Sequence, residues 1–130
     1  MDKYTLLISN DERSIKSTGK NLLLGTWCLN DLMKQYANFH VADPYGLSIK
    51  SKVKDFEKVR VYEKKILALV SKELNEVHHL NFSSKIWQMI IGHWLRVFIL
   101  VIVNRFSVIS QVLKNYKVDE ISFISYSGSA

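Results

Sequence analysis

The stretch Leu74–Arg105, LNEVHHLNFSSKIWQMIIGHWLRVFILVIVNR, limits most strongly what this chain can become. It closes one helical pattern and opens a second that is almost entirely apolar. Around the junction it gathers three histidines, two serines, a lysine and two tryptophans. A helix start carries unpaired N–H groups and a partial positive charge, so the junction suits an anionic group.

The second helix raises the question of a membrane. Ile86–Val103 is long and apolar, but Gln88, His93 and Arg96 fall near its centre. The unbroken apolar part is only Val97–Val103, whereas a span wants about 20 mostly apolar residues. A buried helix is expected, with docking on a membrane surface as the second choice. At about 100° per residue, one side carries Lys85, Gln88, Gly92, Arg96, Ser107, Ser110, Gln111 and Lys114. The other carries Trp87, Ile91, Trp94, Leu95, Phe98, Ile102, Ile109 and Val112. Arg105 falls on that apolar side and needs a partner, because a lone buried guanidinium is prohibitive. It either caps loop carbonyls or pairs with a carboxylate such as Glu63, or it lines a site for an anionic group.

Upstream, Ser51–His78 reads as a long amphipathic helix: Val59, Tyr62, Ile66, Leu69, Val70, Leu74 and Val77 recur at helical spacing, and Lys54, Lys58, Lys65 and Lys72 lie largely elsewhere. Ser83 is the expected cap of the next helix, which runs to about Asn115, with Phe82 and Trp87 at the positions of a hydrophobic staple. Tyr4–Ser9 and Asn21–Cys28 read as buried strands, Leu29–Phe39 as a short helix, and Val118–Ser125 as a further strand. Asp43-Pro44-Tyr45-Gly46 is a turn, and residues 126–130 are a fraying tail. Continuous apolar strands suit a parallel sheet. The expected fold is therefore α/β: a partial Rossmann-like layer with a short, mostly parallel sheet and two long α-helices.

At 130 residues the chain is one domain, large enough for a core. Its formal charge of +6 favours anionic partners. The lysines are scattered, however, and no nucleic-acid module or dense basic block is present, so nucleic acid is not an expected partner. The single cysteine, Cys28, excludes an internal disulfide and a multi-cysteine zinc site, and points to a reducing cytoplasm. The short apolar run near the N-terminus, followed by charges, does not make a signal peptide. His78 and His79 close the first long helix, where histidine suits the dipole as a cap. Adjacent side chains diverge, and no E-x-x-H lies near them, so the pair makes a poor metal site. No Walker loop, G-x-G-x-x-G, G-x-S-x-G or paired-carboxylate arrangement occurs. Periodicity alone builds no catalyst here.

Seven short elements add a family reading: Leu24-Gly25-Thr26-Trp27-Cys28, Pro44-Tyr45, Tyr62-Glu63, Leu74-Asn75-Glu76-Val77-His78, Ser83-Ser84-Lys85-Ile86-Trp87, Ile91-Gly92-His93-Trp94-Leu95 and Asn104-Arg105-Phe106. In this order and spacing, over roughly Tyr4 to Leu113, the chain resembles the N-terminal portion of a family of transferases from bacterial O-antigen and surface-polysaccharide gene clusters. It departs where the family pattern reads P-Y-H-W-D-D-R: here Gly46-Leu47-Ser48-Ile49-Lys50 follows Pro44-Tyr45. The resemblance implies a longer, two-lobed protein with a glycosyltransferase-like second half that binds a nucleotide-sugar donor. This chain is then the acceptor-side domain, incomplete as a catalyst, with no cofactor of its own. Asn75, Ser83, Ser84, Lys85 and Arg105 are the expected ligands of a sugar or lipid-linked sugar acceptor, and His78 the proton-transfer group. Cytoplasmic location is implied, including the inner face of the cytoplasmic membrane. The competing reading is a non-catalytic α/β domain that docks a partner protein or an anionic membrane surface.

Overall fold

The computed structural model describes residues 3–31 and 38–125. It divides into two compact units, Met1–Tyr45 with Val108–Ala130, and Gly46–Ser107.

The first unit is a sheet of four strands, β1 (Lys3–Leu7), β2 (Lys20–Leu23), β3 (Phe39–Val41) and β4 (Lys117–Ser122), in the order β3-β2-β1-β4. Every pairing is parallel. Leu6 stands level with Leu22 and Ile121, and Leu7 with Leu23 and Ser122. Successive strand residues face opposite sides of a sheet, yet Leu6 and Leu7, like Leu22 and Leu23, are all fully buried. Both faces of the two central strands are therefore covered, by a core that includes Leu24, Cys28, Ala42, Val108 and Val112. This double burial is why these strands read as unbroken apolar runs.

Buried polar groups hold the connections. Between β1 and β2, Asn21 Nδ2 donates to the Lys16 carbonyl at 3.0 Å, and its Oδ1 accepts from the Lys16 N–H at 3.1 Å. Ser122 Oγ donates to the Ser14 carbonyl at 2.6 Å, tying the end of β4 to the turn after β1. At the end of β3 the Asp43 peptide is gripped twice: its N–H donates to Tyr116 Oη at 3.2 Å, and its carbonyl accepts from Gln111 Nε2 at 3.1 Å.

Strand limits differ from expectation. The first strand stops at Leu7 instead of Ser9, and the second stops at Leu23, because Gly25 leads into a 3-10 turn at Thr26–Cys28. The last spans Lys117–Ser122. Phe39, the expected end of a short helix, instead begins β3, paired to Asn21. Residues 32–37 of that expected helix, and the 126–130 tail, lie outside the described residues. The turn expected at Asp43–Gly46 has Gly46 at φ 70°, in the left-handed region that glycine tolerates.

The second unit is a helical hairpin. Helix α1 spans Ile49–His78; its cap Ser48 accepts from the Ser51 N–H at 3.2 Å. Helix α2 spans Ser84–Asn115, and its residues from Val108 onward belong to the first unit. Val59 and Leu67 of α1 pack with Trp87, Leu95 and Ile99 of α2, flanked by Ile66, Leu74, Ile91 and Val103. Glu63 is buried in this seam, and Arg96 meets it with both arms: Nε donates to Oε2 at 3.0 Å and Nη2 to Oε1 at 3.1 Å.

Two expectations fail here. The α2 helix is not a buried helix: in its most apolar 18-residue stretch, long and apolar enough to cross a membrane, only 22% is buried. Its buried stripe recurs every four residues at Trp87, Ile91, Leu95 and Ile99, the width that one neighbouring helix can cover. Trp94, Phe98 and Ile102, read as core, are 62%, 49% and 52% exposed, and Phe106 beside them is 73% exposed. Arg105 shares that uncovered side and is exposed, and the partner of Glu63 is Arg96.

Candidate functional site

The turn from α1 to α2 carries most of the residues singled out in the sequence, and Asn75 organises it. Its Nδ2 donates to the Phe82 carbonyl at 2.8 Å, and its Oδ1 accepts from the Phe82 N–H at 3.0 Å and from Trp87 Nε1 at 2.8 Å. Helix α1 ends because His79 adopts the left-handed conformation at φ 53° and ψ 42°, and the following Leu80 N–H returns to the Asn75 carbonyl at 2.9 Å. On the other side Ser83 accepts from the first turn of α2: its carbonyl takes the Ile86 and Trp87 N–H groups, and its Oγ also faces the Ile86 N–H at 3.4 Å. Phe82 and Trp87 meet at 5.6 Å between ring centres, as a staple requires.

This arrangement sorts the expected ligands. Asn75 and Ser83 use their side chains to build the turn. His78, Ser84 and Lys85 are exposed on it, and the His78 ring lies 6.4 Å from that of Trp87. Arg105 sits far along α2, twenty positions from Lys85, and is not brought to the turn.

A groove of about 760 Å³ runs between the two helices. Lys58, Tyr62, Ile66 and Val70 of α1 and Trp94, Phe98, Ile102 and Phe106 of α2 line it. Trp94 and Phe98 stack at 5.2 Å with their planes 12° apart. None of the expected ligands lines this groove, whose walls are apolar apart from the Lys58, Tyr62 and Ser107 side chains.

A second place of interest, in the first unit, has no counterpart among the expected sites. Strands β1, β2 and β3 are laid down in one direction and β4 pairs on the other side of β1. In parallel sheets ligands bind outside the carboxyl ends of strands where the order reverses in this way. Beyond the end of β1 come Ser9, Asn10 and the exposed Asp11–Arg13 pair, with Arg13 Nε 3.0 Å and Nη2 2.6 Å from the Asp11 carboxylate. Beyond the end of β2 comes Leu24–Cys28, one of the motif elements. Its Trp27 is half exposed, and a Cβ on Gly25 would stand 2.1 Å from the indole ring, so the ring lies directly on the glycine. The signal in the sequence is a glycine two positions before a tryptophan, just past an apolar strand. Among the described residues, no group of three or more His, Cys, Asp or Glu side chains is placed to hold a metal ion.

The architecture is that of an α/β protein with a short all-parallel sheet and two long helices. A model of the LIC12162 family transferase matches residues 4–129, and the chain belongs to that family. Comparison with curated proteins and with solved structures yields no match.

Proposed function

We propose that this chain is the acceptor-side, N-terminal portion of a sugar transferase of surface-polysaccharide (O-antigen, lipopolysaccharide) assembly, acting at the cytoplasmic side of the membrane. Family membership supports the transfer reaction, and the observation that carries the site is the Asn75 bracket. It holds His78 and the start of α2 on one turn, with His78, Ser84 and Lys85 exposed. An anionic group on the acceptor, a sugar phosphate or a lipid-linked sugar, sits against Lys85 and the first amides of α2, where the charge and the helix dipole act together. The acceptor hydroxyl attacks the anomeric carbon of a nucleotide-sugar donor held by the second half that the family pattern implies. The bond from that carbon to the donor phosphate breaks, the phosphate leaves with the electron pair, and an imidazole nitrogen of His78 takes the hydroxyl proton.

Calorimetric titration with glucose 1-phosphate tests the site. Lys85→Ala removes a charge-assisted contact, so affinity should fall about tenfold or more. Unchanged affinity overturns the role of the turn. The uncovered apolar side of α2 favours a second, non-catalytic role in docking.

A further inference from the structure

We propose that the helical hairpin of the second unit docks on the surface of an anionic bilayer, the Trp94–Phe98–Ile102–Phe106 side of α2 lying among the acyl chains. This goes beyond the transfer reaction and stands whether or not Lys85 binds a sugar phosphate.

Three observations carry it. The first is exposure. Besides this stripe, Met89, Ile90, Val97, Leu100 and Val101 are also exposed, so the apolar surface of α2 extends well beyond the strip that α1 covers. An exposed apolar surface of that extent marks a docking face. The second is charge. Between Gly46 and Ser107 there are eleven Lys and Arg residues against five Asp and Glu, and α2 itself has no acidic residue. Glu63 neutralises Arg96. Lys58 lines the groove, so a cationic head stands beside the apolar stripe. Asp55 and Glu57 stand near Lys58 at one end of the groove, and Glu73 and Glu76 near its other end at Val70 and Leu74, so the cationic excess is that of the hairpin as a whole. Long basic side chains beside an apolar helix face place their stems among the chains and their charges at the phosphates. The third is geometry. By length and composition α2 is able to cross a membrane. Spanning is opposed by α1: packed along α2, it would carry Lys58, Lys64 and Lys65 into the hydrocarbon. A second copy is opposed by charge, since two acid-free faces repel.

Flotation of the whole chain with vesicles of phosphatidylcholine alone, or with a third phosphatidylglycerol, tests this. The chain should float with the anionic vesicles and be released by high salt. Phe106→Glu, at a position 73% exposed and so without effect on folding, should lower vesicle partitioning about tenfold, and Lys58→Glu should weaken it on anionic vesicles only. Brominated acyl chains should quench the tryptophan emission of the parent chain, and Trp94→Phe should remove most of that quenching while Trp27→Phe leaves it in place. Failure to float, equal flotation on both vesicle types, or quenching that survives Trp94→Phe overturns the proposal. So does a dimer in lipid-free solution that Phe106→Glu converts to monomer, because the stripe is then covered by a second copy.

Discussion

Asn75 is the residue on which the α1–α2 turn depends. Its amide is one of the few side-chain groups that can donate to a carbonyl and accept from two N–H groups at once, and it does all three here. Asn75→Ala leaves the indole N–H of the buried Trp87 without its acceptor, and urea denaturation should show a loss of about 2–3 kcal/mol. Asn75→Asp keeps the two accepted bonds and loses the donated one, so its midpoint should fall between parent and alanine variant. Equal stability of all three would show that the turn is held by Ser83 and the left-handed His79 instead. The sequence points to Asn75 as a ligand and gives no sign of its three bonds within the turn, because polar residues at a helix junction read equally well as ligands and as the bonds that shape the junction.

At the scale of elements, the two helices and three of the four strands were legible, and strand β3 was not. Helices α1 and α2 have long, strongly periodic patterns, a serine before α2 and a staple pair, and their limits fall within two residues of expectation. Strand β3 has three residues and owes its existence to pairing with β2, which no local pattern announces. The wheel of α2 misled for a related reason. Composition shows which side is apolar but not how much of it a neighbour covers, so Trp94, Phe98 and Ile102 read as core. Arg96 sat on the polar side of the wheel, yet it lies at the seam's margin, where a long side chain reaches inward to Glu63. That pair makes an element-scale prediction. Arg96→Met leaves a buried carboxylate alone and should lower the melting temperature of the hairpin. Adding Glu63→Leu should restore much of it, since paired apolar replacements are often neutral or better. A double variant that melts below Arg96→Met would mean the ion pair itself stabilises the seam.

For the molecule as a whole, the chain leaves the sheet after β3 and re-enters it within α2, and both passages are clasped at Asp43 by Gln111 and Tyr116. Partial burial raises the Tyr116 hydroxyl above the ordinary tyrosine value; the Asp43 N–H opposes this, and the Asp43 carboxylate and Tyr4 add to it. The folded state therefore favours the neutral phenol. Its contribution is intact below about pH 10 and is lost as pH rises through the raised value. Urea midpoints from about pH 9 to pH 11 should fall less steeply in Tyr116→Phe than in the parent; identical slopes would remove Tyr116 from the alkaline response. The sheet has a further consequence for biosynthesis. Thr5 and Glu120 bond across 115 positions of chain, so β1 is synthesised long before its neighbour on that side exists. Nascent β1 must wait with one edge bare while the helices fold locally, and late closure of this kind is slow. A ribosome that stalls before Lys117 strands the oily Leu6–Leu7 ribbon with an unzipped flank, and such fragments should clump with one another rather than persist as a smaller working protein.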